Sequence, residues 1–179
     1  TLYYVDYIND RLFELDPEDG SVRDTTQLPG GNYDGVAALN GLIYISDYVL
    51  DDILVFDPTS NTIVDRLNIN SLNPGVNLQG GLGESGEGSH LVASTVSSDV
   101  MLIDPRTGRV TSSFVNGITA NRFDGGATGF NGEIYLGFAE SSNTIVTFDN
   151  HGQRQRSINL GFPIYGLGGF AQDGGHHVS

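Results

Sequence analysis

The sequence predicts an all-β protein: a four-bladed β-propeller in which each blade is a four-stranded antiparallel sheet. Three observations favour this fold. A motif recurs about every 45 residues, a small Gly-rich segment accompanies each copy, and no long stretch has the periodicity of a helix. The chain of 179 residues suits one repeat array with a shared core. We therefore treat residues 1–179 as a single propeller domain.

The recurring motif is an apolar run followed by Asp, usually Pro, two small or polar residues, and Gly or Asn. An Asp at the start of a turn accepts a hydrogen bond from the backbone two residues on. Pro presets the next φ angle, and Gly tolerates a positive φ at the turn exit. Each copy is therefore predicted to be a β-hairpin. The anchor aspartates, spaced 41, 47 and 45 residues apart, are Asp16, Asp57, Asp104 and Asp149.

Two further strands are predicted in each repeat, one aromatic or aliphatic and one small. Innermost strands crowd around a propeller axis, and Gly and Ala let their backbones approach closely. Four strands in about 45 residues is typical of a propeller blade. The aromatic or aliphatic strands are at 2–7, 42–48, 90–95 and 133–139, and the small segments are at 34–41, 79–85, 124–132 and 165–171.

The first blade is expected to be a composite of N-terminal and C-terminal strands. The chain begins in the second strand of a blade, and the small segment at 165–171 comes near its end. In a closed ring, that segment pairs with residues 2–7 of the same chain. In the alternative, it is donated to a neighbouring unit and gives head-to-tail polymers. Closure within one chain is favoured because it avoids the entropy cost of association.

Two of the predicted strands carry related motifs, YYVD at 3–6 and YISD at 44–47. They resemble the Tyr-Trp-Thr-Asp motif of lipoprotein-receptor propellers, and residues 35–64 resemble NHL, YVTN and gluconolactonase-like blades. The resemblance implies a propeller and an extracellular or cell-surface setting. Repeats three and four depart from the motif, at 91–94 and 135–138. Those families usually have six or more blades, so their specific functions are not carried over to this chain.

The composition excludes several classes of function. The net charge is −14, with 22 acidic residues, eight Arg and no Lys, and such a surface repels nucleic acid phosphates and anionic membranes. We expect no nucleic acid partner. No apolar run approaches the roughly 18 residues of a membrane span, so we expect no membrane insertion. The lack of Cys and Lys removes disulfides, thiolate nucleophiles and Schiff-base chemistry.

A candidate metal site arises where the chain enters the small strands. Asp34, Gln79 and Asp124 each stand directly before a Gly, and Tyr165 holds the fourth such position. Arranged around an axis, these residues would ring the mouth of the channel. Two carboxylates and an amide oxygen suit a hard cation such as Ca²⁺. The alternative is that they begin strands, with Asp and Gly acting as turn residues.

A second acidic group lies in the predicted loops between the second and third strands of the blades. It would extend the cation site or bind a basic protein partner. The alternative is a solvated acidic rim, since no D-x-D-x-D-G spacing of an EF-hand occurs. The residues of this group are Asp6, Asp47, Asp51, Asp52 and Asp99.

The leading interpretation is a noncatalytic propeller module of a secreted or cell-surface protein, acting in protein binding or structural assembly. In one form of this interpretation, the units assemble head-to-tail. No G-x-S-x-G nucleophile elbow is present, and we expect no enzyme activity. The alternative, taken from the resemblance, is a small metal-dependent hydrolase or lyase of the gluconolactonase-like kind. That activity requires a Glu-Asn-Asp type of cluster in the channel, and no Glu stands at the channel mouth positions.

Overall fold

The computed structural model describes residues 1–96, 99–115, 127–130, 132–137 and 143–162. Within these ranges the chain forms antiparallel strands in four sheets, with one helix of four residues. The sheets follow one another along the chain, and each is an up-and-down meander. The prediction of an all-β, four-bladed propeller is confirmed.

The blades have the following strands. Blade 1 contains β1 (Leu2–Asp6), β2 (Arg11–Leu15) and β3 (Val22–Gln27). Blade 2 contains β4 (Tyr33–Leu39), β5 (Leu42–Asp47), β6 (Asp52–Asp57) and β7 (Thr62–Asn68), and α1 (Ile69–Leu72) follows it. Blade 3 contains β8 (Leu78–Glu84), β9 (Leu91–Thr95), β10 (Asp99–Ile103) and β11 (Val110–Val115). Blade 4 contains β12 (Ala127–Phe130), β13 (Glu133–Gly137), β14 (Thr144–Asp149) and β15 (Arg154–Asn159).

Blade 1 has three strands within the described residues, in the order β1-β2-β3. The segment 165–171, expected to complete it as the fourth strand, lies outside the described residues. The composite first blade therefore stays a prediction. β1 is an edge strand of its sheet in the described part of the chain.

The anchor aspartates build their turns as predicted. In every blade Oδ1 of the anchor accepts a hydrogen bond of 2.8 or 2.9 Å from the backbone N–H two residues on. The fourth turn keeps this bond although Asn150 replaces the Pro. A register shift precedes the anchor at the same point of each blade. The anchors are Asp16, Asp57, Asp104 and Asp149.

The core lies between successive blades, where the faces of neighbouring sheets pack together. Three buried apolar clusters occupy the interfaces between blades 1 and 2, 2 and 3, and 3 and 4. The inner strands are small, as predicted, because their backbones touch. A Cβ added to Gly35 of β4 would stand 2.6 Å from the backbone nitrogen of Leu82 in β8. No helix in the described ranges is long and apolar enough to cross a membrane.

Candidate binding face

The turns between the second and third strands lie at the same end of the sheets as the first residues of the inner strands β4 and β8. Two of them, in blades 1 and 2, are built alike by an aspartate at their first position. Oδ1 of Asp6 accepts a 3.0 Å hydrogen bond from the backbone N–H of Ile8. Oδ1 of Asp47 accepts 3.0 Å bonds from the N–H groups of Val49 and Leu50. These carboxylates therefore stabilise the turns from within.

Asp47 is fully buried, and its second oxygen, Oδ2, has no hydrogen-bond partner in the described part of the chain. The backbone of Gly31 covers it, since a Cβ at that position would stand 2.6 Å from Oδ2. Tyr33 packs beside it and donates a 2.7 Å hydrogen bond to the carbonyl of Pro29. Burial raises the pKa of Tyr33, against the opposing effect of the nearby Arg66 charge. Asp47 thus presents no surface to a partner.

The two aspartates that follow in the same turn have different roles. Oδ2 of Asp52 accepts a 2.7 Å bond from the Arg66 guanidinium, and its side chain is almost fully buried. Oδ1 of Asp51 accepts a 2.7 Å bond from the N–H of Leu78 in β8, so this turn is tied to blade 3. Burial raises the pKa of Asp51, and the charges of Asp52 and Asp47 add to the effect.

At the corresponding point of blade 3, a different side chain joins the end of β9 to the start of β10. Asp99 begins β10, and its backbone N–H donates a 3.2 Å hydrogen bond to the hydroxyl of Thr95. Thr95 is buried at the end of β9, as Asp47 is at the end of β5. The five aspartates predicted to bind a partner therefore share one end of the fold but do not form a uniform acidic rim.

Apolar side chains occupy the surface of the turns in blades 1 and 2, and one more follows β9 in blade 3. They are between 50% and 78% exposed, although turn surfaces are ordinarily polar. Our interpretation of the sequence missed these side chains because it considered only the charged residues of the turns. The available signal was the apolar dipeptide between two turn aspartates in D-Y-I-N-D and D-Y-V-L-D. We define the turn face as Tyr7, Ile8, Val49, Leu50 and Val96.

The structure places two of the three candidate metal ligands at equivalent positions of neighbouring inner strands. Asp34 is the second residue of β4, and Gln79 is the second residue of β8. The Asp34 carboxylate lies directly against the backbone of Gly80. Asp124 lies outside the described residues, so a shared site remains a prediction. Within the described ranges no group of three His, Cys, Asp or Glu residues is arranged to hold a metal ion.

Comparison with known proteins supports the fold. No protein-family model matches the chain, and no curated protein matches its sequence. Among solved structures, the Myxococcus xanthus glutaminyl cyclase aligns with a TM-score of 0.63 at 12% identity, over 88% of this chain and 61% of that one. A chain of a mitotic checkpoint complex aligns with a TM-score of 0.57 at 13% identity, over 88% and 49% respectively.

BamB from Moraxella catarrhalis aligns with a TM-score of 0.55 at 16% identity, over 89% of this chain and 46% of that one. The cyclase and BamB are β-propellers, in agreement with the sheets described above. This chain spans less than two thirds of the length of each of these three structures. At such low identities the likeness shows the fold alone.

Proposed function

We propose that the chain is a noncatalytic β-propeller module of a secreted or cell-surface protein, with blades of the YWTD or NHL kind, and that it binds a protein partner through the turn face. The observation that carries the proposal is the exposure of five apolar side chains after the second strands of three blades, at one end of the fold. Exposed apolar groups at loop positions mark interaction sites when they recur on one face.

The turn face has a composition suited to protein binding. Burying apolar surface stabilises a complex by roughly 25 cal/mol for each Å² removed from water. Tyr7 adds an aromatic ring with a polar end, a combination enriched in interfaces. The carboxylates of Asp6 and Asp47 lie just beneath the apolar tips and give this end a negative potential. The partner surface should therefore be apolar, with basic residues around it.

The turns are also held in place before binding. Asp47 fixes the backbone of Val49 and Leu50, and Asp51 ties the same turn to Leu78 of the next blade. A surface ordered in the free protein loses less conformational entropy on association. This rigidity favours recognition of a folded partner.

The competing function is enzymatic, with a metal at the channel mouth. The position of Asp34 against Gly80, beside Gln79, is the observation that favours it, and the likeness to a glutaminyl cyclase shows that propellers include an enzyme. A screen of lactone hydrolysis and of lyase reactions with Ca²⁺ or Zn²⁺ separates the two functions. Turnover that is lost in Asp34→Ala would replace our proposal by the enzymatic one.

A site-specific cross-linking experiment tests the binding function directly. A photoreactive phenylalanine at position 8, on the turn face, should form an adduct with one defined protein of the source material. The same group at position 64, an exposed apolar site on β7, should form none. Equal adducts from both positions, or none from position 8, would contradict the proposal.

A further inference from the structure

Two of the described interfaces between blades are closed at the same point by an apolar side chain against a turn glycine. Between blades 2 and 3, a Cβ at Gly108 would stand 3.2 Å from Cβ of Leu67. Between blades 3 and 4, a Cβ at Gly152 would stand 2.5 Å from Cγ of Phe114. Leu67 and Phe114 are equivalent, because each lies ten residues after the anchor aspartate of its blade.

The interface between blades 1 and 2 is polar at this point. Thr26 lies where Leu67 and Phe114 lie in their blades, and Asn61 replaces the glycine. The Thr26 hydroxyl donates a 2.8 Å hydrogen bond to Oδ1 of Asn61. Nδ2 of Asn61 donates a 3.1 Å bond to Oδ2 of Asp24. Hydrogen bonds thus replace the apolar contact, and the interface is left open beside them.

The interface between blades 1 and 2 differs from the other two in a third way, because it contains a carboxylate. Glu14 stands two residues before its anchor, where blades 2 and 3 have the buried Val55 and Leu102. Within the described residues the Glu14 carboxylate makes no hydrogen bond. The burial of Tyr3 raises the pKa of that residue, and the charge of Glu14 adds to the effect. The cation near it, Arg23, is held by Asp16 at 2.6 Å. Glu14 is therefore an available acceptor at a position that is apolar in blades 2 and 3 and holds the uncharged Thr147 in blade 4.

These departures form a cleft between blades 1 and 2. It contains about 230 Å³ of empty space, which includes open solvent. The space is continuous with solvent, so the cleft is shallow and suits the end of one side chain and not an enclosed ligand. Glu14 and Asp24 supply negative charge, and the half-buried Tyr3 and Pro58 supply apolar surface. Leu12 and Phe56 also line the cleft but are almost fully buried.

We propose that this inter-blade cleft receives a basic side chain, arginine or lysine, of a protein partner. The alkyl stem would lie on Tyr3 and Pro58, and the charged end would reach Glu14 and Asp24. The cleft lies beside the anchor turns of Asp16 and Asp57, at the opposite end of the strands from the turn face. The inference therefore does not depend on binding through the turn face.

Titration with small cations tests this inference on the intact chain. The probes are butylguanidinium and butylammonium, which stand for arginine and lysine, and neutral butylurea as the control. The readout is the NMR shift of the Tyr3 and Phe56 ring signals. We expect saturable shifts with at least one of the cations, the tighter one identifying the preferred side chain, and none with butylurea.

Variants test whether the NMR shifts come from binding in the inter-blade cleft. Glu14→Gln should weaken cation binding by roughly fivefold or more, since it removes a charge and keeps the shape. Glu18→Gln removes the same charge from an exposed position outside the cleft and should leave binding unchanged. Thr26→Leu with Asn61→Gly introduces the kinds of residue that close the other interfaces, and this double variant should abolish cation binding. Absence of saturation with both cations, equal shifts with butylurea, or equal losses in Glu14→Gln and Glu18→Gln would overturn the inference.

Discussion

The hydroxyl of Ser46 in β5 donates a 3.0 Å hydrogen bond to the carbonyl oxygen of Gly80 in β8, the inner strand of the next blade. The same hydroxyl accepts a 3.0 Å bond from the N–H of Gly35 in β4. Ser46 is buried, so neither backbone group has water as an alternative partner. One side chain of the YISD motif thus joins two strands of blade 2 to blade 3.

Ser46→Ala should lower the free energy of unfolding by about 1–3 kcal/mol, because it leaves buried backbone groups of Gly35 and Gly80 without a partner. Urea unfolding measures the change. Ser71→Ala, at an exposed position of α1, is the control and should have little effect. A Ser46→Ala protein as stable as the control would show that the bond between the blades contributes nothing.

Gly35→Ala should destabilise the fold by at least about 3 kcal/mol, because the new Cβ would meet the backbones of Gly80 and Leu82 and neither can move freely. Gly30→Ala provides the matched control, since that position has open space around it. Thermal unfolding of the two variants gives the comparison. Similar melting temperatures would contradict the close approach of β4 and β8.

Asp51→Asn should stabilise the protein at pH 7, by less than about 1 kcal/mol because the carboxylate stays partly solvated. The pKa of Asp51 is raised in the folded state by burial and by the charges of Asp52 and Asp47. The folded form then binds this proton more tightly than the unfolded form, so the residue costs stability as pH rises through the raised pKa. Asn keeps an oxygen for the N–H of Leu78 and tolerates the φ angle of 54°.

The measurement for Asp51→Asn is the free energy of unfolding against pH. Its advantage over the wild type should grow between the unfolded and folded pKa values of Asp51 and vanish in acid, where the wild-type carboxyl is protonated. An advantage independent of pH would show that the charge is not the cause.

The sequence predicted the fold well because each blade repeats a local signal. The bond from Asp16 to Glu18 and the small size of Gly35 follow from turn chemistry and from crowding at the axis, and both are readable from a short window. The site was harder to predict. Asp47 and Ile8 have the polarity expected of a surface and a core residue respectively, yet Asp47 is buried and Ile8 is 78% exposed. The reason is the three-dimensional turn. Its first aspartate points inward and accepts hydrogen bonds from the turn backbone, so the apolar residues that follow are left at the surface.

The closure of the ring gives a further prediction. Residues 165–171 should pair with β1 of the same chain, and the protein should be a monomer of 19.1 kDa by light scattering. Deleting residues 164–179 should leave the backbone edge of β1 unpaired beside the exposed Leu2 and Tyr4 and cause aggregation. Because the chain has no Cys, a pair introduced at position 4 and within 165–171 reports the pairing. Disulfides between chains would indicate head-to-tail strand addition, and no disulfide at any position would contradict both arrangements.

The most direct test of the binding function measures the affinity of a purified partner, identified by the cross-linking at position 8, for two matched double variants. Ile8→Ser with Leu50→Ser changes the turn face, and Val22→Ser with Val64→Ser changes apolar residues that are more than half exposed on the outer strands. Both pairs should fold, since all four side chains are solvent-exposed. We expect the turn-face pair to weaken binding by about thirtyfold or more, as loss of interface anchors does, and the outer-strand pair to bind like the wild type. Unchanged affinity in the turn-face pair, or the same loss in both pairs, would contradict partner binding through the turn face.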